Sequence, residues 1–233
     1  MGFAISGRTA EEAGGTMNFL NDWIGFIPAL LSGLWVSLKL TGFSLLIGLP
    51  VGLLLALGTS SNNRPLRLIV IIVVEIGRGT PALVVLQLFY YGLPSAGLTL
   101  ASFTASGLAL ALTTAAYTSE ILRGGLQAVP AGEVEAAQAL GMRHTDTLRY
   151  VVIPQGVRVA LPPLMGFAIL VLQMTSLTFT IALPELLSRA YSIGSSTFQY
   201  MSVLILAGLL YSAVTIPASW LCERVEKRLA RHL

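Results

Sequence analysis

Charged side chains are scarce in this chain. Lys, Arg, Asp and Glu together make up 11% of its 233 residues, whereas about 25% is usual in soluble domains. Apolar residues make up 55%, and the mean hydropathy is +0.78. A soluble core does not need so many apolar residues in succession, but a helix that crosses a bilayer takes about 20 of them. The composition excludes an ordinary soluble domain and predicts an all-α membrane protein.

The residues that build several kinds of site are also missing. The single cysteine, Cys222, has no partner for an internal disulfide. His144 and His232 stand apart from each other and from that cysteine, so we expect no metal site. No G-x-x-x-x-G-K-S/T segment occurs, and the chain is not expected to bind ATP or to be an enzyme itself. The net charge of +3 lies between apolar runs rather than on a basic face, which argues against a nucleic-acid partner.

Five apolar stretches are long enough to cross the lipid bilayer. They are residues 36–57, 68–93, 103–122, 159–180 and 200–221. Residues 18–32, which contain Trp23, are predicted to form an interfacial helix ahead of the first span. The expected division is a disordered leader at 1–17 (with Met17 as an alternative start), a transmembrane domain at 18–222 and a cytoplasmic tail at 223–233.

The distribution of Lys and Arg predicts the orientation. Only Arg8 and Arg189 lie on one side of the predicted membrane, while ten lie on the other. The ten are Arg64, Arg67, Arg123, Arg143, Arg149, Arg158, Arg224, Lys227, Arg228 and Arg231. Because cytoplasmic loops are enriched in Lys and Arg, we expect the C-terminus in the cytoplasm and, with five spans, the N-terminus outside.

The cytoplasmic joint at 123–158 is the longest. Its segment 132–148 is predicted to be helical, because apolar residues recur at helical spacing. Gly141 is expected to break this helix in a left-handed backbone conformation that glycine adopts at little cost. Periodicity alone is equally compatible with docking in a groove of another protein and with lying on lipid headgroups.

The residues of this joint resemble a known signature. Glu135-Ala136-Ala137, three residues, Gly141, nine residues and then Val151-Val152-Ile153-Pro154 are similar to the EAA loop of ABC importer permeases. The segments 75–81, 117–120, 175–177 and 185–187 match the polar amino acid branch of that family, the histidine and glutamine permease type. The resemblance extends from about residue 34 to the tail.

This resemblance implies a type I ABC importer permease fold, with five transmembrane helices and a cytoplasmic coupling helix, in a bacterial inner membrane. The function it implies is inward transport of a polar amino acid. The implied partners are an ATP-binding subunit that holds ATP and Mg²⁺, a second permease copy (identical or different) and an extracytoplasmic substrate-binding protein. No cofactor is expected on this chain. The residues it assigns to ATPase coupling are Glu135, Ala136, Ala137, Leu140, Gly141 and Pro154.

Ionisable residues within the predicted spans are candidates for the translocation path. Glu75 and Arg78 are three residues apart on one helix, and they either line a polar path or form an ion pair that braces a bend at Pro81. Thr80 or Arg78 is expected to satisfy a carbonyl that Pro81 leaves without a donor. Glu120 with Arg123 has the spacing of an interfacial pair.

Four further candidates are polar or aromatic residues. Tyr117 either lines the path or packs against other helices. A polar cluster with Gln173, Thr175 and Ser176 near the outer end of the fourth span either bonds to its own helix or borders the path. In the resembled family this stretch has Lys-Asp before Thr-Ser-Leu, whereas this chain has Gln173-Met174. Substrate choice is then expected to rest with the external binding protein.

Two other classes of protein remain as alternatives. A secondary transporter or channel is expected to show broken helices in two related halves, and the sequence has no such internal repeat. A membrane-embedded enzyme requires a metal or acid–base constellation within the spans, and the few ionisable residues do not form one.

Overall fold

The computed structural model describes the backbone of residues 6–61 and 63–229, with side chains from Asp22 onward in those ranges. Every element in this part of the chain is helical. The α-helices are α1 (Ser6–Thr59), α2 (Arg64–Gly79), α3 (Ala82–Gln87), α4 (Ser102–Gln127), α5 (Ala131–Ala139), α6 (His144–Thr147), α7 (Ile153–Met174), α8 (Leu186–Thr197) and α9 (Tyr200–Leu229). Leu88–Gly92 and Leu148–Val152 are π-helical turns, and Leu93–Ala96 and Thr175–Ile181 are 3₁₀ turns.

The all-α architecture is confirmed, but five spans are not. Within the described residues, three helical stretches are long and apolar enough to cross a bilayer: Asp22–Thr59, His144–Ile181 and Tyr200–Leu229. A bent pair, Arg64–Gly79 with Ala82–Ala96, makes a fourth if it counts as one span. The helix at the predicted third span, α4, is less apolar, because many of its residues are Gly, Ser and Thr.

The predicted interfacial helix at 18–32 is wrong as a separate element. α1 is continuous from Ser6 to Thr59, with Pro28 and Pro50 inside it. Leu30 and Leu34 are buried in a cluster with residues of α8 and α9, and the Trp23 indole donates a hydrogen bond to Ser202 Oγ at 2.9 Å. Packing against these helices, rather than a lipid surface alone, fixes the segment. The predicted leader at 1–17 stays a prediction, because nothing is described of its side chains.

The second predicted span, 68–93, is not one helix. α2 ends at Gly79, and the chain bends by 100° before α3. Pro81 disfavours helical backbone at the residue before it, and Thr80 is extended with ψ 127°. The Thr80 hydroxyl then donates to Ile76 O at 2.7 Å, so part of the broken helix end is satisfied by its own side chain.

Helix α4 lies at the centre of the bundle. Of its 13 buried residues, 12 are Ala, Gly, Ser or Thr, the exception being Leu110. A Cβ added at Gly48 of α1 would lie 2.6 Å from Thr114 Cβ, and one added at Gly77 of α2 would lie 2.7 Å from Ala116 Cβ. Small side chains on α4 therefore allow its neighbours to approach to near backbone contact.

Both π turns end two residues before a proline. The Leu93 N–H donates to Leu88 O and the Ile153 N–H donates to Leu148 O, each across five residues, ahead of Pro94 and Pro154. A proline in α-helix has no N–H to donate, and its ring clashes with the carbonyl four residues earlier. Widening the preceding turn relieves that clash.

Gly156 of α7 provides a test of this close packing. A Cβ there would lie 2.9 Å from Leu126 Cα of α4, whereas a Cβ at Gly166 of the same helix has nothing within 4 Å. We expect Gly156→Ala to destabilise the protein by about 1–3 kcal/mol through overpacking. The matched change Gly166→Ala should be neutral or stabilising by up to about 1 kcal/mol. Thermal unfolding of both variants in one detergent decides this, and equal midpoints would contradict the packing argument.

Candidate functional site

Four charged side chains form one network between α2 and α4. Arg78 Nη1 lies 3.5 Å from Glu75 Oε1 and 3.5 Å from Glu120 Oε2. Arg123 donates to the two oxygens of the same Glu120 carboxylate from Nε at 2.8 Å and from Nη2 at 2.7 Å. The sequence predicts two separate pairs three residues apart, and both pairs are present. The structure adds the contact between Arg78 and Glu120, which makes Glu120 the carboxylate shared by two guanidinium groups.

The members of this network differ in exposure. The Glu75 side chain is 65% exposed, whereas that of Glu120 is 21% exposed. Beside them opens a polar cavity of about 330 Å³. Its lining residues are Thr59, Ser60, Ile71, Glu75, Glu120, Arg123 and Gln127. The network therefore faces an accessible polar space at the end of α1 and is not enclosed in the core.

Tyr117 connects this network to α7. Its hydroxyl donates to Arg78 O at 3.3 Å, a carbonyl in the last turn of α2. Its ring stacks on Phe167 at 5.2 Å between centroids, and the Arg78 guanidinium lies 6.0 Å from the ring centre. Tyr117 thus packs between helices, and its hydroxyl donates a hydrogen bond to a carbonyl at the break. The Thr80 hydroxyl donates to the Ile76 carbonyl.

The predicted polar cluster at the end of α7 is separate from the charge network. Thr175 is fully buried, and its hydroxyl donates to Leu172 O at 2.7 Å. Ser176 donates to Gln173 O at 2.7 Å, and the Gln173 side chain is exposed. The two hydroxyls bond to their own helix, as Ser and Thr often do.

Next to Thr175, the structure reveals a buried carboxylate that the sequence marks only as part of the family resemblance. Glu185 is 0% exposed and caps α8, its oxygens accepting from the Ser188 N–H at 2.7 Å and the Leu187 N–H at 2.8 Å. The Tyr211 hydroxyl of α9 donates to it at 3.0 Å. Burial raises the pKa of this carboxyl, while these hydrogen bonds lower it. The residues next to Glu185 in the sequence do not indicate that its side chain is buried. The burial results from packing against α1 and α9.

A second unpredicted contact links the broken segment to the same region. Gln87 Nε2 of α3 donates to Thr180 Oγ1 at 3.0 Å, and the Tyr91 hydroxyl donates to Thr180 O at 3.5 Å. Both donors and Thr180 are at least partly exposed. Sequence separation of about ninety residues leaves no local signal for such a pairing.

The loop after α4 carries the residues of the EAA signature. Glu135, Ala136 and Ala137 lie on α5, of which Ala137 is the only buried residue. The predicted helix 132–148 is too long, because α5 ends at Ala139 and Leu140 is its C-cap, 85% exposed. Pro154 follows later, as the second residue of α7.

Gly141 ends α5 in the expected left-handed conformation, with φ +82°. The Gly141 N–H donates to Gln138 O at 2.9 Å and the Met142 N–H donates to Ala137 O at 3.2 Å. These two bonds define a Schellman motif, which satisfies the last carbonyls of a helix and favours glycine at this position. The sharp stop leaves α5 as a short, exposed helix with a fixed end.

No group of His, Cys, Asp or Glu that fits a metal ion occurs among the described residues. The candidate functional residues lie in three separate places. These are the charge network, the buried cluster around Thr175 and Glu185, and the exposed α5 loop.

The charge network generates a prediction about its two carboxylates. Glu120→Gln removes the negative charge shared by two guanidinium groups and replaces one acceptor oxygen with an amide donor that faces them. In this half-buried place we expect a loss of about 1–3 kcal/mol in stability. Glu75→Gln removes one long contact at an exposed side chain, and we expect a loss below about 1 kcal/mol. Unfolding midpoints of the two variants in one detergent measure the difference. A larger effect at Glu75 than at Glu120 would show that Glu120 is not the shared centre.

Comparison with known proteins gives a consistent family. The family described as binding-protein-dependent transport system inner membrane component matches residues 48–231. The arginine transport system permease protein ArtQ of Bacillus subtilis (strain 168) is 34% identical over 87% of this chain and 93% of its own length. The histidine/lysine/arginine/ornithine transport system permease protein HisM of Escherichia coli (strain K12) is 35% identical over 87% of this chain and 89% of its own.

Solved structures agree with this assignment. A chain from the crystal structure of an amino acid ABC transporter with histidines has 38% identity and a TM-score of 0.87, covering 90% of this chain and 98% of that one. The MetNI methionine ABC transporter in an inward-facing conformation has 21% identity and a TM-score of 0.70, covering 87% and 97%, and supports the fold alone. The chain belongs to the family of binding-protein-dependent transport system inner membrane components, the permease subunits of ABC transporters.

Proposed function

We propose that this permease imports a polar amino acid through the inner membrane, driven by a separate ATP-binding subunit that contacts α5. The family is one of transporter subunits and not of enzymes. The relatives transport arginine in one case and histidine, lysine, arginine or ornithine in another, and these substrates are the basis for proposing an amino acid. The observation that carries the coupling role is α5 itself, an exposed helix bearing the Glu135-Ala136-Ala137 signature and closed by Gly141.

The partners of this proposal follow from the same family. A binding protein delivers the amino acid to the outer face, and a second permease copy completes the path. ATP and Mg²⁺ act on the ATP-binding subunit, whose closure displaces α5 and shifts the permease between outward-open and inward-open states. The network centred on Glu120 holds α2 against α4 beside the polar cavity, and it is the candidate inner border of the path.

The proposed topology has five crossings, with α4 and the bent α2–α3 pair added to the three long apolar helices. α4 is surrounded by other helices, so its small polar residues do not face lipid. The excess of Lys and Arg on one side supports a cytoplasmic α5 loop and C-terminus. The N-terminus then lies outside.

This topology predicts opposite reporter signals at two positions. A periplasm-active reporter fused after Ser95 should be active, and a cytoplasm-active reporter fused after Leu233 should be active. The exchanged reporters at the same two positions are the controls, and they should be silent. Signals placing Ser95 and Leu233 on one side would refute five crossings.

Gly141 provides the test of coupling. Gly141→Asp places a side chain at φ +82° with no atom within 4 Å of its Cβ, so the direct cost is about 1–2 kcal/mol of backbone strain. Because that strain acts on the end of α5, we expect normal membrane levels but loss of uptake and weaker recovery of the ATP-binding subunit. Labelled amino acid uptake and pull-down of the co-expressed subunit measure both.

Gly97 is the matched control. It has φ +81° and also has no atom within 4 Å of an added Cβ, but it lies between the 3₁₀ turn after α3 and α4. Gly97→Asp should have the same local strain and leave uptake and subunit recovery in place. Normal uptake and recovery for Gly141→Asp, or equal losses at both glycines, would remove the support for a coupling role of α5.

A further inference from the structure

The π turn Leu148–Val152 lies between the α5–α6 loop and the membrane helix α7. Together, α6, this turn, α7 and the following 3₁₀ turn form one apolar stretch from His144 to Ile181. The stretch therefore connects the exposed loop at one end with the buried Thr175 region at the other. Any displacement of α5 that reaches the interior through this connection passes through the π turn.

The turn is encoded by the sequence and recurs. Leu-Arg-Tyr-Val-Val-Ile-Pro at 148–154 and Leu-Phe-Tyr-Tyr-Gly-Leu-Pro at 88–94 share Leu, Tyr and Pro at the same spacing. Both adopt a π turn over their first five residues. In each, the proline follows the residue that closes the wide turn. Proline alone does not produce the wide turn, because Pro162 and Pro163 lie inside the α-helical part of α7. The two π turns share the spacing of Leu, Tyr and Pro as well.

The two sides of the turn are held differently. On the α7 side, Gly156 is buried against Leu126 of α4, where an added Cβ would lie 2.9 Å from Leu126 Cα. On the loop side, Leu140 is 85% exposed and Tyr150 within the turn is 63% exposed. The α7 side is anchored against α4. On the loop side, most side chains of residues 131–147 are exposed, and the buried exceptions are Ala137 and Thr147.

One side-chain contact spans the turn. The Gln155 amide at the start of α7 donates to the Glu133 carboxylate of α5. This contact ties α5 directly to the start of α7. The contact closes a short loop around the π turn, so a movement of α5 either strains this contact or changes the turn.

A π turn contains one residue more than the α-helix into which it is inserted, and such turns are frequent at functional sites. Conversion to α geometry shifts the register by one residue, which rotates one flank by about 100° relative to the other. Discrete rearrangements of this kind transmit movement better than gradual bending, because packed elements have few alternative arrangements.

We propose that the π turn Leu148–Val152 is the joint that transmits the coupling movement, by changing its helical register when the ATP-binding subunit displaces α5. Anchored α7 then receives a rotation or shift that reaches the Thr175 region. The proposal rests on the proposed coupling function of α5 and adds the element that carries the movement.

The first test removes the π turn without changing the phase of its flanks. Deleting Tyr150 takes out the extra residue and an exposed side chain, and Pro154→Ala in the same chain restores the missing N–H. The two flanking helices then join as continuous α-helix. We expect normal recovery of the co-expressed ATP-binding subunit and a fall in amino acid uptake per ATP hydrolysed of about 5- to 150-fold, the usual range of a coupling effect.

The control is Pro163→Ala, another exposed proline of α7 that no π turn precedes. It should leave uptake per ATP unchanged. Unchanged uptake per ATP hydrolysed in the variant without the π turn would overturn the proposal that this turn is the joint. Failure of the unmodified chain to recover the ATP-binding subunit would instead overturn the proposed function on which the joint depends.

The second test needs no change in the turn and decides the matter if the deletion variant does not insert. Spin labels at Arg143→Cys and Val157→Cys, in a Cys222→Ser chain, bracket the turn, and a pair at Val157→Cys and Leu170→Cys lies within α7. A register change displaces a surface label by roughly 8 Å, given the radius of a helix with its side chains. The bracketing pair should shift between nucleotide-free and ATP–vanadate-trapped complex while the pair within α7 does not. A constant bracketing distance would overturn the proposal.

Discussion

The close approach of three helices to α4 is the constraint on which the rest of the structure depends. α4 presents almost only small residues to its neighbours, and Gly48 of α1, Gly77 of α2 and Gly156 of α7 face it where added Cβ atoms would lie within 3 Å of other atoms. Dispersion and close packing must hold such helices together, because lipid offers no less apolar an environment than a neighbouring helix. The same approach brings Glu120 of α4 within reach of Arg78 of α2, so the charge network follows from the packing.

Hydrogen bonding of the backbone N–H and carbonyl groups is the second constraint. A bilayer supplies no water for free carbonyls and N–H groups, so a proline within a buried helix requires a local substitute. At Pro81 the Tyr117 hydroxyl donates to Arg78 O, and the Thr80 hydroxyl is a second donor to Ile76 O, which also accepts the Thr80 N–H. Ahead of Pro94 and Pro154 the helix widens into a π turn. Each of these three prolines therefore coincides with a bend or a widened turn.

The polar residues divide into those that hold the helices and those that are accessible. Thr175 and Glu185 are buried, and the Tyr211 hydroxyl of α9 donates to Glu185 at the start of α8, which connects these two helices. Glu75, Gln173 and the α5 loop are exposed. Of these, Glu75 lies beside the polar cavity, the α5 loop carries the family signature, and Gln173 lies at the far end of α7.

The sequence by itself determined the membrane class, the helical stretches at α1, α4, α7 and α9, and the left-handed stop at Gly141, because apolar runs and glycine conformation are local properties. It also marked the loop from Glu135 to Pro154, since that signature is a linear pattern. Pro81 likewise marked a bend, although its size of 100° comes from the structure. Only the tertiary structure decided the sharing of Glu120 by Arg78 and Arg123 and the burial of Glu185. Those features depend on which helices meet, and contacts between residues far apart in the chain leave no periodicity in it. The end of α5 at Ala139 lies between the two cases, because Gly141 signals the stop while the predicted periodicity continues to Leu148.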